Sequence, residues 1–164
     1  MRRTSAALLS AAFLVIAPGT VAGLLPWWIT GWRMAGGPLV LKLAGGLLIL
    51  AGLALLVDCF SRFVVQGHGT PAPVAPPENL VVAGPYRRVR NPMYVAIVAM
   101  ILGQAALLGA LRLLGYAALV WTGFHIFVVV YEEPTLRRHF PAGYAAFSAA
   151  VPRWIPRLSP WRGD

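Results

Sequence analysis

Residues 90–133 read RNPMYVAIVAMILGQAALLGALRLLGYAALVWTGFHIFVVVYEE. Between Asn91 and Tyr131 the only Lys, Arg, Asp or Glu is Arg112. Two apolar runs, from about Met93 to Ala110 and from about Leu113 to Tyr131, lie on either side of it. A helix needs roughly 17–25 such residues to cross a hydrocarbon core ~30 Å thick, and each run supplies them. Little more than Leu111-Arg112 joins the two, so they must form a tight antiparallel hairpin. The hairpin brings the start of the first run, Asn91 to Tyr94, beside the end of the second, Tyr131 to Glu133. Chemistry is to be sought where these two polar clusters meet.

Two further apolar runs precede the hairpin, from about Ala6 to Trp28 and from about Pro38 to Phe60. Of the 164 residues, 59% are hydrophobic and 12% are charged. Soluble domains are roughly half apolar and a quarter charged. A chain this short buries too little surface to hide the excess, so lipid is the expected solvent. Gly45, Gly46, Gly52, Pro18 and Gly19 lie inside the runs, where membrane helices tolerate them. Gly45 and Gly46 also suit a close helix contact. The length fits one membrane-embedded domain, 1–164.

The net charge is +9, from 14 Lys+Arg against 5 Asp+Glu. Its distribution argues against nucleic acid as a partner, because the arginines flank apolar runs instead of lining one face. Four crossings put Arg2, Arg3, Arg62, Arg87, Arg88, Arg90, Arg137, Arg138, Arg153, Arg157 and Arg162 on one side. Only Arg33, Lys42 and Arg112 fall on the other. The positive-inside rule then makes both termini and the central loop cytoplasmic, in a bacterial inner membrane. Trp27, Trp28 and Trp32 suit the outer interface, and Trp154 and Trp161 the inner one. Met1-Arg2-Arg3, the first run and Thr20-Val21-Ala22 also resemble a cleavable secretory signal. Cleavage would leave three crossings, whereas the arginine pattern supports four.

Between Arg62 and Arg90 stand Gly67, Gly69, Pro71, Pro73, Pro76 and Pro77, so this loop is not one long helix. Glu78 to Tyr86 reads as a short extended piece followed by a turn. In the tail, Leu136, Phe140, Tyr144 and Phe147 recur at helical spacing, which predicts an amphipathic helix over about Pro134 to Ala150. Pro134 suits its first position, and its positive end would favour the carboxylates of Glu132 and Glu133.

Glu132 and Glu133 are two of only five acidic residues. Removing carboxylates from water is costly unless they are paired. Their expected partners are Arg87, Arg88 and Arg90 across the hairpin, or a ligand; equally, they can be interfacial charges capping the tail helix. Pro92 at the first turn of the third run leaves N–H groups free to hold an anion. Asn91 is a good N-cap, and Tyr94 is either a ligand contact or an interfacial anchor. His125 lies seven residues before Glu132, two turns deeper on the same face of a regular helix. It can take a proton from an acceptor or be a core histidine bonded to Gln104 or a neighbouring carbonyl. Asp58 is placed to pair with Arg62. Cys59 and His68 read as inert, and no metal-binding Cys/His spacing occurs.

Gly84-Pro85-Tyr86-Arg87-Arg88-Val89-Arg90-Asn91-Pro92-Met93-Tyr94 resembles the first signature of the isoprenylcysteine carboxyl methyltransferase and phospholipid methyltransferase superfamily, R-[HN]-P-x-Y with a Gly-x-Tyr shortly before. Glu132-Glu133-Pro134-Thr135-Leu136, with Phe140 and Tyr144, is similar to its second, E-E-x-x-L-x-x-x-F-x-x-x-Y. Gly67-His68-Gly69-Thr70-Pro71-Ala72-Pro73 is similar to a loop common in bacterial members. The motif-bearing part covers about residues 67–157. Three positions differ from the isoprenylcysteine enzymes. Asn91 replaces their usual His and Ala96 their usual Gly. Val128 stands where they carry an Arg for the substrate carboxylate, which points away from carboxyl O-methylation of a prenylated cysteine.

The resemblance implies an all-α polytopic membrane enzyme, with about four transmembrane helices and a C-terminal cytoplasmic amphipathic helix. It implies S-adenosyl-L-methionine as methyl donor and an apolar or lipid-like acceptor within the bilayer. Carried over by position, Leu80, Val81 and Tyr86 would line the cofactor. Arg90, Asn91, Pro92, Met93 and Tyr94 would meet its amino-acid end, and Glu132, with Glu133 close by, would contact it. Glutamates suit the cofactor's sulfonium and ammonium, while arginine and helix-start N–H groups suit its carboxylate. No Gly-rich dinucleotide fingerprint is present, and no metal is implied.

Overall fold

The computed structural model describes residues 3–63, 65 and 79–163. The 67–73 loop, with His68, lies outside the described residues, as does Glu78. Those described form an all-helical bundle. Helix α1 (Arg3–Gly19) passes through a π turn (Thr20–Leu24) into α2 (Leu25–Thr30). Next come α3 (Leu39–Arg62), a 3-10 turn (Gly84–Arg87), α4 (Pro92–Leu108) and α5 (Arg112–Phe127). A second π turn (Val128–Glu132) leads into α6 (Glu133–His139), and α7 (Pro141–Ala150) ends the helical part. Three stretches are long and apolar enough to cross a membrane: Ala11–Thr30, Leu39–Arg62 and Arg112–His139. The fourth expected crossing, α4, has 17 residues, about 25 Å of helix.

Leucines 43, 47, 50 and 53 of α3 are exposed. In water that would be a liability; in lipid it is the expected outer surface. The buried core lies where α1, α3, α4 and α5 meet, around Leu56, Phe60, Ile97, Ile101 and Leu113. Helix α3 packs along α4 more extensively than any other pair, and glycine sets the distance. A Cβ on Gly45 would stand 2.5 Å from the Gly103 carbonyl oxygen, and one on Gly52 2.9 Å from that of Ala96. Small residues let membrane helices approach closely. Gly46, the other candidate, has open space beside it, since it points away from α4. At the hairpin tip Gly109 takes a left-handed conformation (φ 66) and its N–H bonds the Ala105 carbonyl, a common way to end a helix.

Each of these two π turns ends two residues before a proline, Leu24 before Pro26 and Glu132 before Pro134. Proline lacks the N–H that its helix would use and its ring crowds the preceding turn. A wider turn absorbs both faults and lets the helix continue. Arg112–His139 is therefore one 28-residue helix, and the expected helix start at Pro134 is not there. The break falls later, at Phe140 (φ −131, ψ 59), with Pro141 opening α7. The predicted single tail helix is thus two helices, and neither begins with a free positive end at Glu132 and Glu133.

The first π turn also accounts for two polar residues inside apolar helices. Leu25 donates its N–H to Thr20 and Pro26 has none, so the carbonyls of Val21 and Ala22 lose their usual partners. The Tyr116 hydroxyl donates to Val21 O (2.8 Å) and Gln104 Nε2 to Ala22 O (2.7 Å). Unpaired carbonyls in a dry interior are costly, which is reason enough for both side chains.

Candidate active site at the hairpin mouth

The hairpin meets as its length requires. The Tyr94 hydroxyl donates a short hydrogen bond to Glu132 Oε1, closing the start of α4 onto the second π turn. Phe124 packs on Tyr94, with ring centroids 4.4 Å apart. Behind them Val81, Tyr86 and Cys59 form a small buried cluster against Met93 and Phe63. Burial pushes the Tyr86 hydroxyl well above its ordinary pKa, and Cys59, Glu132 and Tyr94 all push the same way. Tyr86 therefore stays protonated. Five expected site residues, Val81, Tyr86, Met93, Tyr94 and Glu132, are thus gathered here.

Of the expected partnership between the two glutamates and Arg87, Arg88 and Arg90, only the Glu133–Arg90 pair forms among the described residues, and Glu132 has no ion pair there. Glu133, buried, takes two bonds from Arg153 (2.6 and 3.1 Å) and pairs with Arg90 (3.2 Å) and Arg137 (3.6 Å). Its hydrogen bond in turn raises the pKa of the Arg153 guanidinium. Arg90 Nη1 also donates to the Tyr144 hydroxyl (3.2 Å). Arg90 Nε is buried with no hydrogen-bond partner among the described residues. Leu136 and Phe140 pack with Tyr144 and Phe147, so the second signature is largely the recipe for docking α7 beneath Glu133. Leu80 joins this cluster, on the other side of the extended piece from Val81.

Asn91 occupies the N-cap position of α4, but its side chain makes no cap. Its amide instead donates to the Arg153 carbonyl (3.1 Å). That bond belongs to a strap of tail residues. Arg90 N–H bonds Pro152 O (2.9 Å), Arg157 N–H bonds Arg88 O (2.9 Å) and Trp161 N–H bonds Arg87 O (2.8 Å). The first-turn N–H groups of α4 at Met93 and Tyr94 are left without helical partners. Pro92 supplies none.

His125 is not on the Glu132 face. A π turn holds one extra residue, which rotates everything beyond it by about 100°. Phe124 takes the place below Tyr94, and His125 turns aside to stack on Trp121 (5.4 Å) and accept a bond from Trp154 Nε1 at Nδ1 (3.1 Å). The Gln104 partner proposed for it is spent on Ala22 and Trp32. Asp58 pairs with Arg62 (2.9 Å) as its spacing predicts. The sequence marks Arg153 and Trp154 only as a cytoplasmic charge and an interfacial anchor, not as partners of Glu133 and His125. They sit in an irregular stretch with Pro152, Pro156 and Pro160, where no periodicity assigns a partner.

Residues 40–143 match the phospholipid methyltransferase family. The chain belongs to that family. Two relatives match about half of the chain. One is the cobalt-zinc-cadmium resistance protein CzcN of Cupriavidus metallidurans, 34% identical over 86 residues, 52% of this chain and 39% of that protein. The other is the nickel-cobalt-cadmium resistance protein NccN of Alcaligenes xylosoxydans xylosoxydans, 32% identical over 86 residues, 52% of this chain and 40% of that protein. The match spans about two fifths of either relative. No solved structure matches. Val128, where the family's isoprenylcysteine branch carries arginine, is buried in the second π turn.

Proposed function

We propose that the chain is an integral-membrane methyltransferase that uses S-adenosylmethionine and methylates an apolar or lipid-like acceptor. The observation that carries this reading is Glu132: a partly buried carboxylate at the mouth of a membrane hairpin, held by Tyr94, with no cation beside it among the described residues. A cationic ligand is its natural complement. The orphaned Arg90 Nε and the free N–H groups of Met93 and Tyr94 offer donors for a carboxylate. The chain therefore presents one acceptor and several donors, the complement of a zwitterion carrying an extra positive charge. Val81, Tyr86 and Met93 supply the apolar wall.

When bound, the donor supplies a methyl on sulfonium: the acceptor's lone pair forms the new bond to carbon, the C–S pair stays on sulfur as a neutral thioether, and the acceptor's proton leaves to water. The residues' part is to hold the donor, align the methyl and exclude bulk water. The arginine asymmetry supports a mouth on the cytoplasmic side of an inner membrane. The acceptor, whether a phospholipid amine or another lipid-like nucleophile, would reach it from the bilayer.

A second reading takes its support from the relatives' names: a membrane accessory protein in divalent-metal resistance. Among the described residues no group of three His, Cys, Asp or Glu side chains could hold a metal ion. Calorimetric titration of the detergent-purified protein with S-adenosylmethionine and S-adenosylhomocysteine separates the two. Saturable binding of both, weakened tenfold or more in Glu132→Gln, is expected. A well-folded protein that binds neither would retire the enzyme reading in favour of the accessory one.

A further inference from the structure

The strap and the turn before α4 enclose a second feature, separate from the Tyr94–Glu132 mouth. An open groove of about 530 Å³ is lined by Leu55, Gly84, Pro85, Arg87, Arg88 and Pro160, a volume within the usual range for small-ligand sites. Its chemistry is divided. Arg87 and Arg88 are exposed, whereas Tyr86 just before them is buried. Leu55, Pro85 and Pro160 are apolar. Leu55, on the last turns of α3, gives the groove an apolar floor beneath this cationic rim.

Among the described residues, no carboxylate meets the rim's charge. Among the described residues the carboxylates are Asp58, Glu132 and Glu133. Asp58 pairs with Arg62, Glu132 bonds Tyr94, and Glu133 is taken by three other arginines. Arg87 and Arg88 form no ion pair with any of them. Both are held in place by backbone bonds to the strap, from Trp161 N–H to Arg87 O and from Arg157 N–H to Arg88 O. The strap also exposes Ile155 (78%) and Leu158 (97%). In a chain whose neighbouring helices face lipid, such side chains belong among acyl chains.

We infer that this groove binds one anionic phospholipid of the adjacent leaflet, its phosphate on Arg87 and Arg88 and an acyl chain along Leu55 and the exposed side of α3. Guanidinium groups match phosphate oxygens in geometry as well as charge. A cation at the membrane surface attracts anionic lipid by about fivefold in affinity, so two placed together give tenfold or more. The inference is independent of methyl transfer, and its readout needs no methyl donor.

The test is native mass spectrometry of the full chain released from nanodiscs of phosphatidylglycerol and phosphatidylcholine. The wild type should retain one phosphatidylglycerol in preference to phosphatidylcholine. R87Q/R88Q should lose that retention by tenfold or more. R138Q/R162Q, which removes the same charge elsewhere on the same side, should cost clearly less and leave the preference for one phosphatidylglycerol, because charge away from the groove attracts anionic lipid without holding one molecule. Equal loss in both pairs would mean a diffuse basic surface and overturn the inference, as would full retention in R87Q/R88Q. Millimolar glycerol phosphate should not displace the lipid; if it does, the ligand is a soluble phosphate and the lipid assignment fails. Because R87Q/R88Q can loosen the strap, Pro160→Trp gives a second route. It fills the groove without touching an arginine, and it must also reduce retention or the groove is not the site.

Discussion

Two proline-linked π turns interrupt otherwise regular helices, Thr20–Leu24 before Pro26 and Val128–Glu132 before Pro134. In the first, the carbonyls that the proline strands are answered from within, by Tyr116 and Gln104. In the second, Val129 stands where Val21 stands. Glu133 donates its N–H to Val128 and Pro134 has none, and no side chain among the described residues donates to the Val129 carbonyl. Instead the turn presents Glu132 to Tyr94. One wide turn is closed by the protein for itself; the other keeps bonding capacity for something else. Such turns are frequent at functional sites, and the difference in closure says which of these two is one.

The sharpest way to break that contrast is through the neighbour of Glu132. Glu133 holds three arginines, and removing it strands Arg90, whose side chain is 12% exposed. Glu133→Ala should cost about 3–5 kcal/mol, read as a large fall in the thermal midpoint in detergent. Binding of S-adenosylmethionine by the folded fraction should weaken less than in Glu132→Gln, and only through Arg90, which Glu133 positions. If the variant were stable yet unable to bind, the division between clamp and mouth would be wrong. Next in size is the first turn. Gln104→Leu leaves Ala22 O and Trp32 Nε1 without partners and should cost about 1–3 kcal/mol, with donor affinity unchanged in the folded fraction.

Most of the architecture could be read from composition and spacing. Hydrocarbon thickness fixes the length of a crossing, and a linker as short as Leu111-Arg112 leaves only one way to pair its helices. Tyr94 and Glu132 met for that reason. What could not be read were consequences of backbone faults. The rule that proline starts a helix placed a boundary at Pro134, but a π turn absorbed the proline and carried the helix on to His139. The same extra residue moved His125 off the face that a regular period assigns it and put Phe124 there. The strap was illegible for another reason: its bonds to residues 87–91 are largely backbone ones, and they leave no pattern in side chains.

Glu132→Gln tests the second turn directly. Glutamine keeps the size and can still accept from Tyr94, so stability should change little. Affinity for S-adenosylmethionine should fall by tenfold or more, about 1.4 kcal/mol. A loss confined to stability would make the second turn structural like the first.

The smallest expected effect separates the turn from the carboxylate it carries. Pro134→Ala restores an N–H and removes the ring that the wide turn accommodates, so the helix is free to close to a regular period. Stability should hold or rise by under about 1 kcal/mol, because alanine is the better helix residue and the π turn already relieves much of proline's penalty. Closing the turn would rotate Phe124 away from Tyr94 and shift Glu132 with it, so donor affinity should fall severalfold, less than in Glu132→Gln. Opposite signs for stability and affinity are the signature of a turn held open for a ligand. Were affinity unchanged in a variant whose stability had risen, the turn would be a passive answer to proline, and Glu132 alone would distinguish it from its counterpart at Pro26.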